Sequence, residues 1–280
     1  MKKALISSVV LGMLIAGSAM AAELPLKAPP APPPVCNWCG WYIGINGGGV
    51  WGKSDTSLDV QNVFTPMGGT PVFTGAQIAA LDAFGTNSFN TNGWLIGGQV
   101  GYLYEDLNTH FVFAAELSVD ATRLRGSFSN TELIAGHNFT FNDGFSNDTS
   151  LLAILSARIG YDFGGSARYG YFGGFIPYWT IGAAALKVNH TFSDVDATFF
   201  PGCACAVNFG NQFVGGAAVG GGVEIRFVDH WSLRGEYLYI DFGSTSGTLN
   251  VLTPAGNLVS FTRSVTFKEN IARGFLSYHF

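Results

Sequence analysis

Charge is what this 280-residue chain has least of: charged residues make up 12%, about half the ~25% usual in soluble proteins. Its 14 lysines and arginines are outnumbered by 19 acidic residues, giving a formal net charge of −5. So acidic a chain lacks the basic footprint of a nucleic-acid binder, and no nucleic-acid partner is expected. It also lacks long apolar runs. Beyond the first residues no segment offers the ~18 uninterrupted apolar residues of a spanning helix. The nearest, "FVGGAAVGGGVEIRF", is broken by Glu224 and Arg226. Yet 48% of the residues are hydrophobic, with 24 Phe and 38 Gly. An apolar chain without a spanning helix leaves the closed β-barrel as the other fold that satisfies its backbone inside lipid.

The start is the exception. "MKKALISSVVLGMLIAGSAMAAELP" has a basic pair (Lys2, Lys3), a short apolar core over residues 4–17, and a small-x-small site at Ala19-Met20-Ala21. This is the layout of a secretory signal cut after Ala21. Removing two lysines takes the net charge from −5 to −7. Residues 22–40 follow as a Pro-rich periplasmic leader, extended and unpaired. Residues 41–280 are read as the barrel.

Eight segments alternate with period 2 between turn signals: 41–51, 93–105, 110–121, 150–163, 176–188, 213–227, 231–242 and 269–280. Short turns such as "DLNT" and "VDH" alternate with long connections such as residues 53–92. Short turns at one end and long loops at the other are the asymmetry of an outer-membrane barrel. The expectation is an all-β, eight-stranded, antiparallel up-and-down transmembrane barrel. Its long loops are extracellular, and its short turns and both termini are periplasmic.

One face of these segments is apolar, as in Phe111, Phe113, Ala115, Leu117 and Val119, and suits lipid. Aromatics gather near segment ends, at Trp41, Trp51, Trp94, Tyr102, Tyr104, Trp231 and Phe280, as interfacial girdles do. The opposite face carries nearly all the strand charge. Eight strands make a lumen narrow enough for side chains to fill. Glu116, Glu224 and Glu236 are therefore expected to pair there with Arg158, Arg226, Arg234 and Arg273, either plugging the barrel or lining a small pore. The terminal "ARGFLSYHF" reads as a last strand closing on the first, with Leu276, Tyr278 and Phe280 facing lipid.

"WCGWYIGINGGGVWG" resembles the first strand of the small outer-membrane β-barrel family of alphaproteobacteria. "LSARIGYDFG", "PYWTIGAAALK", "WSLRGEYLYIDFG" and "NIARGFLSYHF" resemble its later strands in order. That family includes major surface antigens of the rhizobial order, hemin-binding proteins and opacity-type proteins, and some members are described as porins. The resemblance implies an outer-membrane location with lipid and lipopolysaccharide around the barrel. It also implies a last strand, Leu276, Tyr278 and Phe280 included, resembling the signal read by the barrel-assembly machinery, and loops available to a host or environmental ligand. Cys36 and Cys39 depart from the family pattern.

The cysteines form two close pairs, expected as local disulfides in an oxidising compartment: Cys36–Cys39 and Cys203–Cys205. A link between the pairs would have to cross a ~25 Å membrane band, far beyond the ~7 Å Cα limit of a disulfide, and a shared zinc site fails on the same distance. His137 and His190 lie in outer connections and are the candidate hemin ligands. No Ser/His/Asp constellation emerges, so no catalytic residue, cofactor, metal or enzyme activity is expected. Within residues 53–92, "AQIAALDAF" reads as a short helix that either packs over the barrel mouth or meets a partner.

Overall fold

The period-2 segments pair around a closed ring. A computed structural model describes residues 36, 39–134, 137–145, 150–163, 174–194, 206–228, 230–253 and 255–280. Residues 1–21, the leader up to residue 35, Cys203 and Cys205 lie outside the described residues.

The described residues form ten strands: β1 (Gly40–Phe64), β2 (Asn87–Glu105), β3 (Phe111–Arg125), β4 (Ser127–Ile134), β5 (His137–Phe145), β6 (Ser150–Tyr161), β7 (Gly174–Asp194), β8 (Ala206–Val228), β9 (Trp231–Leu252) and β10 (Leu258–His279). Eight close the barrel in the order β7-β6-β3-β2-β1-β10-β9-β8, with β8 returning to β7. All pairings are antiparallel. The hairpin β4–β5 rises from the β3–β6 connection and attaches to the outer end of β7.

Register sets the geometry. Directly opposed residues run from Arg125 through Asn92, Trp51, Asn270, Tyr239, Val219, Ile181 and Ala157 back to β3 at Ala115, ten residues below the start. A stagger of ten over eight strands tilts the strands by about 40°. Each residue then climbs about 2.5 Å along the barrel axis. Trp41 and Trp51, at the two ends of the outward apolar stripe of β1, therefore stand about 25 Å apart in height, the thickness of an outer-membrane apolar band.

The lower border is an aromatic girdle. Trp41 meets Tyr102 at 5.4 Å between ring centroids, Tyr161 meets Phe111 at 5.6 Å and Phe163 at 5.0 Å, and Tyr278 meets Trp231 at 5.2 Å and Phe280 at 5.4 Å. Phe280 N–H donates to Trp41 O at 2.9 Å, so the last residue completes the seam between the chain's two ends. Below it, the turn between β2 and β3 is held by Asp106, whose carboxylate accepts from the Thr109 hydroxyl at 2.7 Å and Asn108 N–H at 3.1 Å. These bonds to the charged form lower its pKa.

The strands extend well past the membrane, which corrects their expected outer boundaries. Residues 53–64 are not loop but the outer part of β1, paired with β10, and residues 243–268 form a β9–β10 hairpin around a short turn. The alternation continues there, but the polarity reverses and hides the strand signal. Asp55, Ser57 and Asp59 now face out, while Leu58 and Val60 are buried.

The helix α1 (Gly75–Gly85) folds against the inner face of this outer sheet. Its start is a capping box: Gln77 N–H donates to Thr74 Oγ1 at 3.3 Å and Thr74 N–H to Gln77 Oε1 at 2.8 Å. Leu81, Phe84 and the preceding Phe73 bury against Leu58, Val60, Val251, Val259 and Phe261. The helix therefore packs inward, over the outer mouth.

Candidate functional site: a lumen filled in layers

Inward side chains of the barrel group into three layers along its axis. The layer nearest the periplasm is ionic. Arg234 grips Glu116 with both terminal nitrogens, at 2.7 and 2.8 Å. Arg158 donates to Glu224 at 2.9 Å and to the Tyr42 hydroxyl at 2.6 Å, and that hydroxyl donates to Glu116 at 2.6 Å. Arg273 holds Glu236 at 2.8 and 2.9 Å and reaches Asp120 at 3.2 Å. Tyr178 donates to Glu236 at 2.9 Å. The Phe275 ring lies between two guanidinium groups, 3.7 Å from Arg234 and 4.7 Å from Arg273. His279 stacks on Tyr42 at 5.2 Å and stands 3.5 Å from Glu224.

Burying such charges in low dielectric costs several kcal/mol per ion unless each is paired and hydrogen-bonded. Here guanidinium, carboxylate and phenol are interleaved, so the charged forms partner one another. Glycine makes room for the phenols. Tyr42 lies over Gly101 on β2, where an added Cβ would overlap its hydroxyl. Tyr178 lies over Gly222 on β8, where a Cβ would come within 2.6 Å of its hydroxyl.

Of the seven charged residues proposed from sequence, six (Glu116, Arg158, Glu224, Arg234, Glu236 and Arg273) sit in this layer. Arg226 sits lower and half-buried, interacting with Glu224, Glu105 and Asp162. Asp120, Tyr42, Tyr178 and His279 were not singled out. Asp120 shared the charged face of Glu116 at four residues' distance and was legible. The tyrosines were not, because their role depends on the glycine of a neighbouring strand. At the periplasmic mouth Cys36 and Cys39 form a disulfide, and Glu105 N–H points to Cys39 Sγ at 3.4 Å.

The second layer is mainly apolar, although Glu269, inward between Phe267 and Ile271 on β10, is buried in it and accepts from the Thr91 hydroxyl at 2.7 Å. Val50, Leu95, Leu124, Leu152, Ile154, Leu186, Leu238, Ile240, Phe242, Val265, Phe267 and Ile271 pack across the barrel. The third is α1 with its cluster, fastened by polar contacts. Buried Arg263 on β10 donates to Gly85 O, at the helix C-terminus, and to Thr56 Oγ1 at 2.8 Å. Burial pushes its pKa down to about 10, so it stays cationic at neutral pH and faces the negative end of the helix. Asp82 accepts from Val60 N–H at 2.8 Å, although partial burial raises its pKa.

His137 and His190 fall on outer strands, not loops. His190 pairs with Phe145, eight residues along β5 from His137. At ~3.4 Å per residue they stand about 27 Å apart, so one iron cannot take both. Among the described residues no cluster of three or more His, Cys, Asp or Glu is placed to hold a metal.

Residues 9–267 match the family described as the outer membrane protein beta-barrel domain. The chain belongs to this outer-membrane barrel family. Among its relatives are the 31 kDa outer-membrane immunogenic proteins of Brucella melitensis biotype 1 and Brucella suis biovar 1. Each is 28% identical over 252 residues, covering 87% of this chain and 88% of the relative. Among solved structures, the outer membrane protein OprG from Pseudomonas aeruginosa aligns with a TM-score of 0.41 at 14% identity, covering 87% of this chain and 98% of OprG. The protein is thus a cell outer-membrane β-barrel related to alphaproteobacterial surface antigens.

Proposed function

We propose that this protein is a sealed outer-membrane barrel, an envelope-stabilising anchor that presents an ordered outer surface, rather than a diffusion pore. One observation supports the reading: inward side chains stand in three successive layers, the Glu116–Arg234 ionic layer, the mainly apolar layer and the α1 cluster, each of which would close the lumen. On this reading a solute would have to break a buried ion-pair network and then pass a layer of mainly apolar side chains. The relatives' name, immunogenic protein, supports the surface role; it does not describe an enzyme.

Conductance in planar bilayers tests the reading. The full chain is expected to give no steady steps. A variant carrying Glu116→Ala with Arg234→Ala, Leu238→Ala with Phe267→Ala, and Leu81→Ala with Phe84→Ala is expected to give small ones, because all three layers are then opened. Steady ohmic steps from the unaltered chain, abolished by removing the charges of Arg158 and Arg234, would make the ionic layer a pore lining and end the proposal.

A further inference from the structure

Five of the described lysines and arginines face out from the barrel: Lys53 on β1, Arg123 and Arg125 on β3, Lys187 on β7 and Lys268 on β10. The other described cations, Arg158, Arg226, Arg234, Arg263 and Arg273, face in. Each step along the row of opposed residues from β3 toward β6 drops about 3 Å, and each residue along a strand changes height by about 2.5 Å. With the register above, all five outward cations fall within about 5 Å of one level. That level lies just above Trp51 and Trp94, the exposed aromatics of the upper apolar border. It is where the headgroups of the outer leaflet begin.

Four of the five are contiguous. Arg123 and Arg125 on β3 lie opposite Trp94 and Asn92 on β2, Asn92 lies opposite Trp51, and two residues above Trp51 Lys53 lies directly opposite Lys268. Two lysines face to face on one side of an antiparallel pair repel each other, and nothing in the fold requires both. Among the described residues, the carboxylates that the register and ion pairs place beside the patch are Asp55, 3.2 Å from Lys53, and Asp241, opposite Lys268. They leave the patch with a net positive charge on an otherwise acidic chain. The exposed Asn90 and Asn92 lie between the arginines and lysines and add donors.

We infer that the outer faces of β1, β2, β3 and β10 form a binding patch for the phosphate groups of a phosphorylated glycolipid of the outer leaflet. Arg123 and Arg125 hold phosphate from one side and Lys53 and Lys268 from the other. The lipid's acyl chains lie along the apolar stripe below, over Trp51 and Trp94. The inference rests on the membrane placement of the apolar band and is independent of whether the lumen conducts.

The test is native mass spectrometry of the full chain in detergent with a bis-phosphorylated lipid A. Heat-modifiable migration confirms that each variant is folded. The unaltered chain is expected to retain the glycolipid and to lose at least about tenfold in affinity when the lipid's phosphates are removed. The Lys53→Gln, Lys268→Gln, Arg123→Gln, Arg125→Gln variant is expected to lose a similar factor, and excess inorganic phosphate is expected not to displace the lipid. Equal retention of the dephosphorylated lipid overturns the proposal on the unaltered chain alone, even if the variant does not fold. Full retention by a folded variant overturns it as well. Displacement by inorganic phosphate would reassign the patch to a free anion and likewise overturn it.

Discussion

The inner and outer halves of β1, β9 and β10 are one continuous sheet with opposite chemistry. Across the membrane, β1 turns Trp41, Ile43 and Ile45 outward and Tyr42 and Asn46 inward. A few residues further along the same strand, Asp55, Ser57 and Asp59 face out while Leu58 and Val60 are buried. Along β1 the alternation is unbroken and the solvent changes, whereas in β9 a bulge at Gly243 shifts the alternation at the same border. Where lipid surrounds the barrel, polar groups are partnered only inside it. Where water surrounds it, the hydrophobic effect turns the pattern over. The switch occurs at the level of Trp51 and the outward cations. The membrane half therefore adds ion pairs and phenols to an apolar layer of its own, while the outer half holds together by apolar packing around α1.

That contrast is open to attack from both sides. The largest effect is expected at Arg234. Arg234→Ala leaves Glu116 buried and deprived of its two-point partner, and should cost about 3–5 kcal/mol. The double change Arg234→Leu with Glu116→Leu should cost far less, because no charge is stranded. Denaturant unfolding in detergent measures both; an equal loss would mean that packing, not charge pairing, holds this half.

The next effect compares one outward change in the two halves. Ile45→Lys places a charge near the middle of the apolar band and should cost about 2–4 kcal/mol. Ser57→Lys, also exposed on β1 but in water, should stay within about 0.5 kcal/mol. Refolding titrations into lipid vesicles give both numbers, and similar losses would erase the membrane boundary drawn between them. The smallest effect is confined to the outer half. Thr74→Ala removes the cap of α1 and should cost about 1 kcal/mol locally. Faster hydrogen exchange in α1 with unchanged barrel amides is the expected result.

Much of the barrel is written locally. Side chains alternate with period 2 in any strand, so the apolar and polar stripes of 41–51 or 231–242 announce both the strand and the face that meets lipid. The alternation of short and long connections then orders the strands. The outer extensions escaped for the same reason. Residues 53–64 alternate too, but with the polarity of a soluble sheet, in a stretch rich in Thr, Asn and Asp that reads as loop. The helix was visible in "AQIAALDAF", while its side of the mouth was not, since Leu81 and Phe84 find their partners on β1, β9 and β10.

Local pattern was enough to specify the location, the strand-forming segments, the lipid-facing stripe and the confinement of Glu116, Arg158, Glu224, Arg234, Glu236 and Arg273 to one face. The choice of partners came from closing the ring. Arg234 reaches Glu116 across 118 positions of sequence and Arg273 reaches Asp120 across 153. The ten-residue stagger of the closed ring brought those residues to one height, and the same stagger gathered Lys53, Arg123, Arg125, Lys187 and Lys268 at the membrane border. Alternation fixes which face a side chain takes, because it is a property of neighbouring residues. Height in a tilted barrel is a property of the whole ring, and no single strand carries it.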